Sequence, residues 1–170
     1  GIHTEHEENS AGAVRAAFRS PADGLEIDVR RLKDGTLVLH HDSGIRTGDF
    51  QHTHRELATL SWKQFRSCCE HEPITLTQAL EEKPSEKILV AECKPSRNKP
   101  AFCRTLINLL KQTDTKNLVC SSESWEILTL LAQQTILPLA PVVRNAGGIH
   151  RAYLEKNLWQ EIHLRHTLAD

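Results

Sequence analysis

The sequence predicts an α/β fold built on a parallel sheet, and three observations carry that reading. Apolar, strand-like runs alternate with segments of helical periodicity along the chain, the pattern of βα units. Three of the strand runs end in ionisable residues, and parallel α/β sheets keep their functional groups at the carboxyl ends of strands. No glycine-rich phosphate loop follows any strand, which counts against a nucleotide-binding open sheet. Closed barrels and open doubly wound sheets both fit the alternation itself.

The elements follow in order. Ser10 to Arg19 reads as a short helix with Val14, Ala17 and Phe18 on one face. Pro21, Asp23 and Gly24 turn the chain into a strand at Leu25 to Val29, and Lys33-Asp34-Gly35 is a turn signal before a second strand, Thr36 to His41. Asp42 to Glu86 is a long connection with pieces of its own. Within it Leu57 to Cys68 is predicted helical, and Thr75-Leu76-Thr77-Gln78 is a capping-box start for a helix reaching Glu82. Ile88 to Glu92 is a strand, and Pro100 to Gln112 a helix with Phe102, Leu106, Leu109 and Leu110 facing inward. Leu118 to Ser121 (strand), Ser124 to Gln134 (helix) and Leu137 to Val143 (strand, interrupted by Pro138 and Pro141) continue the alternation. Gly148 to Lys156 is predicted helical, and Ile162 to Arg165 is a last short strand. No repeat, linker or low-complexity segment divides residues 1–170, which read as a single domain.

Composition narrows the class. The chain has 170 residues, 39% hydrophobic and 25% charged, with a formal net charge of -1. That balance, without a Lys/Arg cluster, gives no support to nucleic-acid binding. No apolar run approaches the roughly 20 residues that span a bilayer. No signal peptide is visible at the start, so the expectation is cytoplasmic. The five cysteines are odd in number and irregularly spaced, which fits buried free thiols in a reducing compartment. The chain contains no Met and begins with Gly1, which reads as a fragment or a processed product.

The chemistry concentrates at strand ends. In Leu25-Glu26-Ile27-Asp28-Val29, alternation puts the three apolar residues on one face and Glu26 and Asp28 together on the other. Two like charges on one face of an apolar strand are costly unless a cation, a strong donor or water compensates them. The same parity recurs at Glu92-Cys93-Lys94, and Leu37-Val38-Leu39 ends in His40-His41-Asp42. If the strands run parallel, Glu26, Asp28, His41 and Glu92 meet at one end of the sheet. Three carboxylates make an all-oxygen site suited to a hard cation, Mg²⁺ or Ca²⁺. His41 beside it is a candidate general acid or base. Lys94 is placed to hold an anionic substrate oxygen, and the set describes phosphoester chemistry.

These pieces, in this order, resemble the glycerophosphodiester phosphodiesterases. The resemblance rests on Glu8-Asn9-Ser10, Gly24 to Val29, Lys33-Asp34-Gly35, Leu37 to Asp42, Pro73-Ile74-Thr75-Leu76, and Ala91-Glu92-Cys93-Lys94-Pro95. It is strong from Glu8 to Pro95 and weak beyond. It implies a TIM-type (β/α)₈ barrel that hydrolyses glycerophosphodiesters to glycerol 3-phosphate and an alcohol with a divalent metal. By the same resemblance Glu26, Asp28 and Glu92 are metal ligands, His41 is one of two acid/base histidines, and Lys94 contacts phosphate.

The chain departs from the pattern at both ends. The family's first strand ends in His-Arg-Gly, whose His is the other acid/base residue. One alignment makes Gly1 the Gly of that motif, with its His and Arg before the first residue. The other makes His3 the catalytic histidine, but needs Thr4 in place of Arg and a short loop, so the first alignment is preferred. A complete barrel takes about 250 residues. The barrel is therefore expected to be incomplete, with its first and last strands clipped. Two other readings stay open: a phospholipase-type phosphodiesterase on the same barrel, and a non-catalytic metal- or phosphate-binding domain that lacks the first histidine.

Overall fold

Helix α1 (Ala11–Arg19) begins where the Ser10 side chain accepts the Ala13 N–H at 3.1 Å, and it buries Ala11, Val14 and Phe18. It leads into strand β1 (Gly24–Arg31), then β2 (Leu37–Leu39), then a small hairpin of β3 (Gly44–Thr47) and β4 (Thr53–Glu56). Two short helices follow, α2 (Trp62–Cys68) and α3 (Leu76–Glu82). The remainder alternates: β5 (Ile88–Cys93), α4 (Lys99–Leu110), β6 (Leu118–Ser122), α5 (Trp125–Ala132), β7 (Leu139–Val143), α6 (Ala146–Leu154) and β8 (His163–Leu164). The computed structural model describes residues 6–47 and 53–164.

The main sheet has six strands in the order β2-β1-β5-β6-β7-β8, and β1, β5, β6, β7 and β8 are parallel. The fold is α/β of the TIM-barrel class; among the described residues the sheet is open, with β2 and β8 at its two ends. No helix among those residues is long and apolar enough to cross a membrane.

The register explains where the site falls. Asp28 stands beside Glu92, Glu92 beside Ser121, and Ser121 beside Ala140. Side chains alternate along each strand, so these four share one face with Glu26, Lys94, Glu123 and Val142. The opposite face carries Ile27, Val29, Leu89, Ala91, Cys93, Leu118, Cys120 and Leu139, packed with Phe18, Phe102, Leu106, Ile127, Leu128 and Leu131 of the helices. Each fully buried Leu, Ile or Phe contributes about 1.5–3 kcal/mol. One sheet face is thus fixed by apolar burial, and a one-residue slip of any strand would exchange core for carboxylates.

Three features differ from the sequence reading. Strand β2 runs antiparallel to β1, with Val29 opposite Leu39 and Arg31 opposite Leu37. The cause is the turn at Lys33-Asp34-Gly35: Gly35 takes φ 93°, and the Leu32 N–H bonds the Thr36 carbonyl at 2.9 Å. His41 therefore reaches the site from a hairpin, not from the end of a parallel strand. The predicted helix Leu57 to Cys68 is a 3-10 turn (Leu57–Thr59) followed by α2, because Ser61 and Gln64 form a capping box that starts a new helix. The β3–β4 pair has no counterpart in the sequence pattern. The box at Thr75 and Gln78 forms as expected.

A second small core of Leu32, Val38, Leu57, Leu60 and Phe65 anchors this inserted region to the β1–β2 hairpin. All five cysteines are free thiols; Cys93, Cys103 and Cys120 are buried and Cys68 and Cys69 half-buried.

Candidate active site

Along the first part of β1 and at the carboxyl ends of β5, β6 and β7 lies a cavity of about 660 Å³, lined among others by Glu26, Asp28, His41, Glu92 and Lys94. Five of the six residues singled out from sequence are therefore brought together. His3, the sixth, lies outside the described residues.

The centre of the cluster is Lys94. Its ammonium donates to Asp28 Oδ1 at 2.8 Å and to Glu92 Oε1 at 2.7 Å, and the residue is only 7% exposed. Burial alone would lower the Lys94 pKa, but the hydrogen-bonded charges of Asp28 and Glu92 outweigh it and hold the value above the ordinary lysine range. Asp28 is held from the other side by Asn9: the Asn9 amide donates to Asp28 Oδ2 at 2.8 Å, and its carbonyl oxygen accepts the Asp28 N–H at 2.9 Å. Asn9 adopts a left-handed backbone, φ 57°, to reach both.

Glu26 has no such partner among the described residues. It opens into the cavity, yet its carboxyl loses hydration there and faces Asp28 and Glu92. Those effects, in that order, outweigh Lys94 and His41 and raise its pKa to about 7. Glu26, Asp28 and Glu92 each present an oxygen within 4.8 Å of the others. An ion with oxygen ligands at roughly 2.3–2.6 Å can bridge donors up to about 5 Å apart. The donor set is all oxygen, three carboxylates face one ammonium, and one of them already takes up protons near neutrality. These residues fit a hard divalent cation.

His41 lies at the cavity rim. Its Nδ1 is 2.9 Å from Asp42 Oδ1, which fixes the ring and leaves Nε2 available. That bond, chiefly, holds the Asp42 carboxyl below the usual range. Arg30 fixes the backbone beneath it, donating from Nε at 2.9 Å and Nη2 at 2.6 Å to the His41 carbonyl, and from Nη1 at 3.3 Å to the Pro95 carbonyl. One guanidinium thus ties the turn carrying His41 to the segment just after Lys94. The neighbouring His40 points away into the second core, edge-on to Phe65 at 5.7 Å, and burial lowers its pKa.

Sequence reasoning missed three contributors. Asn9 was visible only as part of a motif. Arg30 has no signal beyond its place at the end of β1. Glu123, which ion-pairs with Arg144 across the ends of β6 and β7, lines the same cavity. The parity that revealed Glu92 and Lys94 extends to Ser121 and Glu123, so Glu123 was within reach of the same rule.

The sequence profile of the glycerophosphoryl diester phosphodiesterase family matches residues 1–160. Among curated proteins, none matches this sequence. The chain is similar to a glycerophosphodiester phosphodiesterase structure from Thermotoga maritima, at 21% identity and TM-score 0.73, covering 94% of this chain and 68% of that one. An Oleispira antarctica phosphodiesterase, solved in complex with the product sn-glycerol-3-phosphate, is 21% identical with TM-score 0.71, over 90% of this chain and 67% of that one. A glycerophosphodiester phosphodiesterase from Parabacteroides distasonis is 16% identical with TM-score 0.71, over 94% and 68%. At these identities the structures establish the shared fold, and the profile match over residues 1–160 establishes kinship: the chain belongs to the glycerophosphoryl diester phosphodiesterase family of phosphodiester hydrolases.

Proposed function

We propose that this chain acts as one barrel-type domain that hydrolyses a glycerophosphodiester to glycerol 3-phosphate and an alcohol, with Mg²⁺ or Ca²⁺ held by Glu26, Asp28 and Glu92. The observation that carries the proposal is the convergence of these three carboxylates with Lys94 and His41 in one cavity. The cation, when bound, polarises the phosphoryl oxygens and offsets the charge of the carboxylates.

The chain's own groups account for the rest. Lys94 presents a fixed positive charge beside the carboxylates, where a phosphoryl oxygen gains charge as the ester bond breaks. His41, oriented by Asp42 through Nδ1, moves a proton at Nε2. Breaking the ester requires one proton to leave the nucleophile and one to reach the departing alkoxide. His41 carries one of these two transfers and the histidine of the first-strand motif the other; within residues 1–170 the candidate for that second histidine is His3. Asn9 and Arg30 position Asp28 and the His41 turn without touching the reacting atoms.

The test is release of glycerol 3-phosphate from glycerophosphoethanolamine with Mg²⁺, Ca²⁺ or EDTA, by the protein and by its Glu92→Gln variant. Metal-dependent release that falls at least about a hundredfold in the variant is expected. Unchanged metal-dependent turnover would remove Glu92 from the ligand set, and a metal-independent reaction yielding a cyclic phosphate would replace the proposed chemistry.

A further inference from the structure

A second cavity, about 290 Å³, adjoins the first, and Lys94 lines both. Its walls bring together three arginines: Arg30 and Arg31 from the end of β1, and Arg97 from the loop after β5. Arg30 is half-buried and bonds only carbonyl oxygens, those of His41 and Pro95. Arg31 is also half-buried and donates from Nε to Thr105 Oγ1 at 3.1 Å. Among the described residues neither has a carboxylate within salt-bridge distance. Arg97 alone is paired, with Glu56 Oε1 at 2.6 Å, and its side chain is 77% exposed. The cavity therefore gathers three guanidinium groups against one carboxylate, and Ser43 and Ser96 on its wall can supply hydroxyls.

We propose that this cavity is a subsite for an anionic group, a phosphate or a carboxylate, carried on the alcohol side of the diester. The proposal rests on the phosphodiesterase reading above and adds the substrate class. Guanidinium forks match the planar or tetrahedral oxygens of such anions. Lys94 lines both cavities, so the subsite lies beside the place proposed for the phosphodiester, and the alcohol side of a substrate would reach past Lys94 to enter it. Arg30 connects the subsite to His41, and Arg31 and Arg97 are free of that duty. The site therefore favours diesters whose alcohol bears a second anion over those whose alcohol is only cationic.

The experiment has two readouts. In the first, kcat/KM is measured for glycerophosphoserine and glycerophosphoethanolamine, which differ by one carboxylate, in the wild type and in the Arg31→Gln/Arg97→Gln double variant. The serine-to-ethanolamine ratio is expected to exceed unity in the wild type and to fall about tenfold in the double variant, the loss expected for charge-assisted hydrogen bonds. In the second, arginine Nε–H resonances are followed during titration with inorganic phosphate. Saturable shifts of Arg31 and Arg97 are expected, with affinity weakened about tenfold in each single variant. A ratio unaffected by the double variant, or phosphate that moves only signals of the first cavity, overturns the subsite. If the wild type hydrolyses neither diester, the phosphodiesterase reading fails, and the phosphate titration decides the subsite alone. An additional arm with phosphatidic acid vesicles separates a lipid headgroup from a soluble anion: shifts with phosphate but not with vesicles assign the subsite to soluble substrates.

Discussion

Replacing Lys94 by methionine keeps the length of the apolar stem and removes the ammonium that two carboxylates share. Asp28 and Glu92 bond that ammonium at 2.8 and 2.7 Å, and the three side chains are 8–14% exposed. Breaking a buried ion pair from one side costs about 3–5 kcal/mol, because the surviving charge keeps its desolvation penalty. Here the survivors also repel. Two carboxylate charges about 4.8 Å apart, the outer limit of the cluster, repel by about 3.5 kcal/mol at an effective dielectric near 20. A proton taken up by one carboxylate caps the loss. Against an ordinary glutamate pKa, that proton costs about 5 kcal/mol at pH 8 but only about 1 kcal/mol at pH 5.

The metal-free variant is therefore expected to lose about 5 kcal/mol at pH 8 and about 1 kcal/mol at pH 5. The sign follows from linkage. The folded variant binds a proton more tightly than its unfolded chain, so its stability is retained at low pH and lost as pH rises. In the wild type the raised Lys94 pKa acts in the other range: its contribution is intact through neutrality and disappears only above the ordinary lysine value. Urea denaturation followed by tryptophan fluorescence in EDTA, at both pH values, measures the difference. A divalent cation at a hundred times its Kd should return about 2.7 kcal/mol at pH 8. A loss under about 1 kcal/mol at pH 8, or an equal loss at both pH values, would refute the reasoning, because the ammonium would then not be what holds the carboxylates together.

Other perturbations test neighbouring parts. Since Glu26 ionises at about 7, metal affinity should weaken by up to about tenfold per pH unit below that point, and calorimetry at pH 6 and 8 should find this dependence lost in Glu26→Gln. In the metal-free protein the same raised value means that Glu26 favours folding at acid pH and opposes it as pH passes about 7, so Glu26→Gln should gain stability relative to wild type at pH 8 but not at pH 5. Asn9→Ala should cost about 2 kcal/mol, from two lost hydrogen bonds to Asp28 and a left-handed φ that alanine tolerates poorly; Asn9→Gly, which keeps the φ, should show the bond loss alone. At Gly24 a Cβ would collide with the Ile88 carbonyl, so Gly24→Ala should cost more than about 2 kcal/mol in thermal unfolding or displace the strand start two residues before Glu26.

How much of this was legible in the sequence differs between elements. The face of β1 and β5 that carries Glu26, Asp28, Glu92 and Lys94 follows from alternation alone, because apolar residues at Ile27, Val29, Ala91 and Cys93 pin the other face to the helices. The β3–β4 hairpin was illegible for the same physical reason inverted: Gly-Ile-Arg-Thr and Thr-His-Arg-Glu offer no apolar alternation, so pairing with each other holds them. The break between the 3-10 turn and α2 had a readable signal in Ser61-Trp62-Lys63-Gln64, the same box that was read at Thr75. Asn9 had no signal beyond its place in Glu8-Asn9-Ser10, since its role depends on a 19-residue separation closed only by the packing of α1 on β1.

His41 shows why an expected placement can be reached by an unexpected path. Parallel strands bring their carboxyl ends together by construction, and that rule places His41 beside Glu92. The chain instead doubles back at Gly35, so β2 runs against β1, and its end would face the opposite side of the sheet if it continued straight. It does not continue. Pairing stops at Leu39, the His40 N–H still bonds the Asp28 carbonyl at 2.9 Å, and Arg30 then seizes the His41 carbonyl from the next strand. The histidine is held at the cavity by that bracing rather than by strand direction. Sequence rules that assume regular sheet geometry find strand-end carboxylates well; a side chain on an irregular turn is held by whichever neighbour satisfies the turn's exposed carbonyl, and here that neighbour is a half-buried arginine two residues beyond Asp28.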